Sequence, residues 1–137
     1  MVGIVIVAHG RLAQALKEAA EMIVGPGNQL KSCSFAQENS VDSLRKMLKT
    51  SIKDVDDGDG VIILTDMFGG TPSNISLSFL EHDKLEVVTG VNLPMVINAL
   101  TKREGKKIGE LVHLLKDSGC KNIHIASEVL ATNLNKS

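Results

Sequence analysis

Two residues that end apolar runs set the chemistry open to this 137-residue chain. His9 follows Val2-Gly3-Ile4-Val5-Ile6-Val7-Ala8 and precedes Gly10, and Asp66 follows Val61-Ile62-Ile63-Leu64-Thr65. A neutral imidazole is a good nucleophile near physiological pH, because its unperturbed pKa is about 6.5. To attack through one ring nitrogen it needs the other held as N–H by an acceptor, and a carboxylate such as Asp66 supplies one. An incoming phosphoryl group also needs donors. The segment Met67-Phe68-Gly69-Gly70-Thr71-Pro72-Ser73-Asn74 offers them: backbone N–H groups near Gly69 and Gly70, a helix start at Thr71, and the Thr71 and Ser73 hydroxyls. Gly10 opens a second helix beside His9. Nucleophile, orienting carboxylate and oxygen cradle together suit phosphohistidine formation without a metal or cofactor.

Each part alone has a plainer reading. A strand-end histidine is more often a hydrogen-bonded structural group, and an aspartate there often only caps a turn. Gly69-Gly70-Thr71-Pro72 reads equally as an ordinary loop entering a helix, and Gly90 and Asn92 as suppliers of positive φ. The conjunction is stronger, because all these residues project from the same sheet edge. His82, His113 and His124 show no ligand spacing with another His, Cys or carboxylate, so no metal site is expected. Dinucleotide-binding glycine patterns, the Walker phosphate loop and the Gly-x-Ser-x-Gly elbow are all missing from the sequence.

The positioning elements follow from the hydrophobic pattern. The first run reads as a central parallel strand, because it is continuously apolar and mostly β-branched rather than alternating. Leu12, Ala15, Leu16, Ala19, Met22 and Ile23 give the next helix a core-facing stripe, closed by Gly25-Pro26-Gly27-Asn28. A second strand is expected at Leu30–Phe35, then a helix entered at Ser40 and carrying Val41, Leu44, Leu48, Ile52 and Val55. After the third strand, Thr71 reads as an N-cap with Pro72 at the first helical position, and that helix is expected to reach about Leu80. A fourth strand at Leu85–Thr89, a short helix at Pro94–Leu100 and a longer one around Ile108–Leu115, closed by Ser118-Gly119, complete the alternation. Ile123–Ala126 reads as a short edge strand. The succession predicts an α/β fold with a doubly wound, mainly parallel sheet in the order 2-1-3-4 plus that edge strand. Strands one and three would then be neighbours about 4.8 Å apart, close enough for His9 and Asp66 to meet.

Composition narrows the classes. The chain is 43% hydrophobic with a net charge of −1, so it has no basic footprint for nucleic acid and no polybasic membrane anchor. Three Phe and neither Trp nor Tyr argue against a base-stacking platform. The seven-residue opening run is too short for a membrane span and lacks a basic flank. Cys33 and Cys120 fit reduced thiols in a cytoplasmic protein. One domain over residues 1–130 and a polar tail over 131–137 are expected.

Three motifs in register, Val2-Gly-Ile-Val-Ile-Val-Ala-His-Gly10, Asp66-Met-Phe-Gly-Gly-Thr-Pro-Ser-Asn74 and Gly90-Val-Asn-Leu-Pro-Met95, resemble the enzyme IIA component of the mannose-family sugar phosphotransferase system. The resemblance runs from residue 1 to about 130. It implies that His9 accepts a phosphoryl group from the phosphocarrier HPr and passes it to a IIB protein, which serves membrane IIC and IID components. It implies that Asp66 hydrogen-bonds the His9 ring, and that the protein is a homodimer exchanging an edge strand, for which Ile123–Ala126 is the candidate. A IIB partner is expected as a separate polypeptide. Three other readings stand beside this one: a phosphocarrier subunit of dihydroxyacetone kinase, a regulatory module read through its phosphorylation state, and a flavodoxin-shaped small-molecule binding domain. Arg11 reads either as a docking residue or as a solvated helix-start side chain.

Overall fold

The computed structural model of the chain describes residues 1–135. The first run forms β1 (Gly3–His9), buried at every position except its last, His9. It lies between β2 (Leu30–Phe35) and β3 (Val61–Thr65), with β4 (Leu85–Thr89) outside β3. All three pairings are parallel, in the expected order β2-β1-β3-β4. A parallel central strand buried on both faces needs apolar residues without alternation, and β1 and β3 have them.

The helices are α1 (Leu12–Val24), α2 (Val41–Val55), α3 (Thr71–Leu77), α4 (Leu93–Lys102), α5 (Ile108–Lys121) and α6 (Ala126–Asn135). One layer packs α1, α4 and α5 on Ile4, Ile6, Ala8, Ile62 and Leu64. The other packs α2 and α3 on Val5, Val7, Cys33 and Ile63. Helices on both faces hold the carboxyl ends of β1 and β3 in one plane, which fixes the backbone from which His9 and Asp66 project. Both cysteines are free thiols, Cys33 buried and Cys120 exposed.

Several local expectations differ from the structure. In α1 the fully buried residues are Ala13 and Ala20, whose small side chains let the helix approach the sheet, while Leu12, Met22 and Ile23 of the expected stripe are exposed. α3 is capped by Gly70 rather than Thr71, since the first intrahelical bond runs from the Asn74 N–H to the Gly70 carbonyl. It ends at Leu77 in a tightened turn, with Ser78, Phe79 and Leu80 bonding three residues back. The Ser76 and Ser78 hydroxyls take the Pro72 and Ile75 carbonyls there, a competition that weakens helix continuation.

Ser118-Gly119 does not stop α5. Gly119 lies inside the helix, where any Cβ would meet Met95 Cε at 2.7 Å, so the glycine serves close packing against α4. Nor does Ile123–Ala126 form a strand: it joins no sheet, and Ala126 begins α6. Three alternating residues were too little to outweigh the helix-forming run Ala126-Ser127-Glu128-Val129-Leu130-Ala131, with Glu128 in a first turn that favours negative charge. The polar tail expected over residues 131–137 is helical through Asn135, and its last two residues lie outside the described residues.

Candidate active site

The parallel pairing of β1 with β3 places Val7 opposite Thr65, so the chain leaves both strands at the same level. His9 closes β1 and Asp66 follows β3 directly. One carboxylate oxygen, Asp66 Oδ2, accepts the His9 backbone N–H at 2.9 Å and lies 2.7 Å from the His9 Nδ1. The other, Oδ1, accepts the Met67 N–H at 3.0 Å. A carboxylate can only accept, so Nδ1 carries the ring proton and Nε2 keeps its lone pair. The His9 side chain is 46% exposed and that of Asp66 13%. Burial pushes the Asp66 carboxyl up, but the bonds from the His9 backbone and ring, the charge of the ring and the Met67 N–H outweigh it. The net effect holds the carboxyl below its ordinary value of 3.8.

The free edge of the imidazole faces the glycine turn. A Cβ built on Gly70 would lie 2.8 Å from His9 Cε1 and 3.4 Å from Nε2. Gly70 therefore gives the ring edge its room by lacking a side chain, while its own φ of −84° is open to any residue. Gly69, at φ +93°, makes the turn that brings this backbone up. Thr71 is half-buried at the mouth of α3, whereas Ser73 is fully buried with no partner for its hydroxyl among the described residues. Gly10 turns the chain at φ +59°, and its N–H is spent on the Phe35 carbonyl at 2.7 Å. Arg11 is exposed and occupies the N-cap position of α1 without a side-chain capping bond.

The structure thus brings His9, Asp66 and Gly70 together, with Gly69 and Thr71 flanking Gly70 in the chain, turns Gly10 from a donor into a turn former, and buries Ser73. Sequence reasoning passed over Phe35. It is the β2 residue in register with His9, and its ring meets the imidazole edge-on, with centroids 6.1 Å apart and planes at 79°. The strand order already contained that signal, because matching the carboxyl ends of β1 and β2 sets the two residues side by side. No group of three or more His, Cys, Asp or Glu able to hold a metal occurs among the described residues. No described helix is long and apolar enough to cross a membrane.

A doubly wound parallel sheet with an exposed imidazole at its switch point, oriented by a carboxylate, is an arrangement suited to group transfer through histidine. The comparisons with known proteins narrow that class. The family EIIA-man, described as "PTS system fructose IIA component", matches residues 3–116. The fructose-specific EIIA component of Bacillus subtilis is 33% identical over 131 residues, covering 95% of this chain and 90% of that protein. The sorbose-specific EIIA component of Lacticaseibacillus casei is 32% identical over 115 residues, covering 82% and 83%. An EIIA crystal structure from Streptococcus agalactiae superposes with a TM-score of 0.85 at 28% identity, covering 93% of this chain and 99% of that one.

The chain belongs to the mannose-type EIIA family of the sugar phosphotransferase system. It is a phosphoryl carrier, a phosphotransferase working through a phosphohistidine intermediate, and membership implies exchange with the HPr and IIB components of that system.

Proposed function

We propose that His9 is the phosphorylated histidine, attacking through Nε2. The observation that carries this is the His9–Asp66 pair: Nδ1 is held by a carboxylate at 2.7 Å while the opposite ring edge stays open beside Gly70. As Nε2 bonds the incoming phosphorus, the P–N bond of phospho-HPr breaks and the donor imidazole recovers its electron pair. Nδ1 keeps its proton throughout, and Asp66 stabilises the charge that the phosphorylated ring develops. Transfer onward to a IIB component reverses these bonds at the acceptor. Backbone donors of the Gly69–Gly70–Thr71 turn and the Thr71 hydroxyl cradle the phosphoryl oxygens, Gly10 turns the chain next to His9, and Ser73 is buried in α3 behind that turn.

Exposure suits protein partners. Met67 and Phe68, on the loop that carries Asp66, are 56% and 71% exposed and give an approaching protein an apolar foothold next to the imidazole. Residues 1–130 act as one EIIA module in the cytoplasm, feeding membrane IIC and IID components through IIB. The sugar is chosen by those partners, since the carrier handles only its phosphoryl group. We also propose a homodimer. The outer edge of β4 has no strand beside it among the described residues, and Ile123 and Ile125 are 77% and 64% exposed.

The deciding experiment is phosphoenolpyruvate-dependent labelling with enzyme I and HPr, read by mass spectrometry that preserves phosphohistidine. A label on His9 that disappears in a folded His9→Ala variant is the expected result. A label retained in that variant, or none while HPr is phosphorylated, overturns the assignment.

A further inference from the structure

We propose that Phe35 is a positioning residue for the His9 imidazole, a role that rests on His9 being the phosphoryl acceptor. With its side chain 46% exposed, His9 has few contacts to define the plane of its ring. Asp66 Oδ2 holds Nδ1, but a single hydrogen bond tolerates a range of angles and leaves the ring room to tilt. The Gly70 backbone borders only the Cε1–Nε2 edge. Phe35 supplies the remaining wall. The two rings meet at 79° with centroids 6.1 Å apart, the edge-to-face arrangement that aromatic pairs favour over stacking.

Phe35 is itself fixed by the same pairing that places the histidine. It is the register partner of His9 across β1 and β2, and parallel partners send their side chains to the same face. Its carbonyl takes the Gly10 N–H at 2.7 Å, which ties it to the residue next to His9, and its ring packs against the layer that holds Val5, Val7 and Cys33. The imidazole is therefore bounded by a carboxylate, a side-chain-free backbone and an aromatic ring. Removing the ring frees the imidazole to leave the orientation in which Nε2 meets the incoming phosphorus. Docking of the donor protein does not depend on that plane, so the turnover rate should fall and KM should not.

The test compares wild type with Phe35→Leu, Phe35→Met and Phe35→Tyr, the Met variant keeping side-chain bulk and the Tyr variant restoring the aromatic edge. Imidazole nitrogen NMR on the unphosphorylated proteins reads the tautomer and ring mobility of His9. Transfer from phospho-HPr reads kcat and KM. In Leu and Met the His9 ring-nitrogen lines should broaden through ring motion while the Nδ1–H tautomer set by Asp66 persists, kcat should fall about 10-fold with KM unchanged, and Tyr should restore both. Wild-type NMR and kcat in Leu and Met would overturn the proposal. So would a rise in KM alone, which marks a docking contact, or a Tyr variant no better than Met. Absence of phosphorylation in the wild type would remove the functional reading, while the NMR comparison would still decide whether Phe35 positions the ring.

Discussion

At the scale of single residues the site depends on what is left out as much as on what is present. Gly70 has a backbone conformation that alanine adopts without strain, yet its Cβ would sit 2.8 Å from His9 Cε1. Gly70→Ala should therefore melt within a few degrees of wild type while phosphoryl acceptance falls by about 10²-fold, the scale of a displaced reacting group. Labelling kinetics beside a thermal melt separate the two effects. Asp66 gives a second handle. Its carboxyl titrates lower in the folded protein than in the unfolded chain, so it stabilises the fold above 3.8, and that contribution fades as pH falls through the lower folded value. Urea unfolding from neutral pH down through 3.8 should show Asp66→Asn with a flatter acid limb than wild type. The same variant should slow transfer on the order of 10²-fold at neutral pH, because an amide holds the imidazole tautomer less firmly and does not neutralise its charge.

At the scale of elements, the third motif, around Gly90–Met95, is a scaffold for α4 and α5. Asn92 Oδ1 accepts the Met95 N–H and caps α4, while its Nδ2 donates to the Gly119 carbonyl of α5. Asn92→Ala removes both bonds, and a loss of about 1–2 kcal/mol is expected in urea unfolding, with no change in labelling at His9. What was legible in the sequence divides along the same line. β1 and β3 are readable because unbroken apolar runs rich in β-branched residues have no amphipathic alternative, and from them the His9–Asp66 meeting follows. The α1 face was misjudged because periodicity locates an apolar stripe without saying how much of it a sheet covers, and Ala13 and Ala20 decided that through size. Gly119 looked like a helix stop because the sequence around it does not show Met95 lying against it. Phe35 was missed because its partner is 26 residues away and only the register joins them.

At the scale of the whole molecule, the proposed dimer makes a concentration-dependent statement. Light scattering at micromolar concentrations should give twice the chain mass of 14.7 kDa, and Ile123→Asp or Ile125→Asp should shift the protein toward monomer, because an exposed apolar contact would then bury a charge. A monomer in the wild type at those concentrations would end the proposal. The far end of the sheet is closed differently: buried Arg103 donates to the Val2, Asn28 and Gln29 carbonyls, holding the starts of β1 and β2 together away from the chemistry. The single carboxylate oxygen that holds both the backbone and the ring of His9 has a further consequence. With His9 as the proposed phosphoryl acceptor, nothing in that grip has to let go when phosphorus arrives or departs, so the carrier needs no rearrangement of this framework between its two forms. Direction then comes from the partners, through the balance of phosphorylated donor and free acceptor. Phosphate flows toward sugar uptake when donors are plentiful and backs up when acceptors are scarce, and the fraction of carrier loaded at any moment becomes a readout of supply against demand.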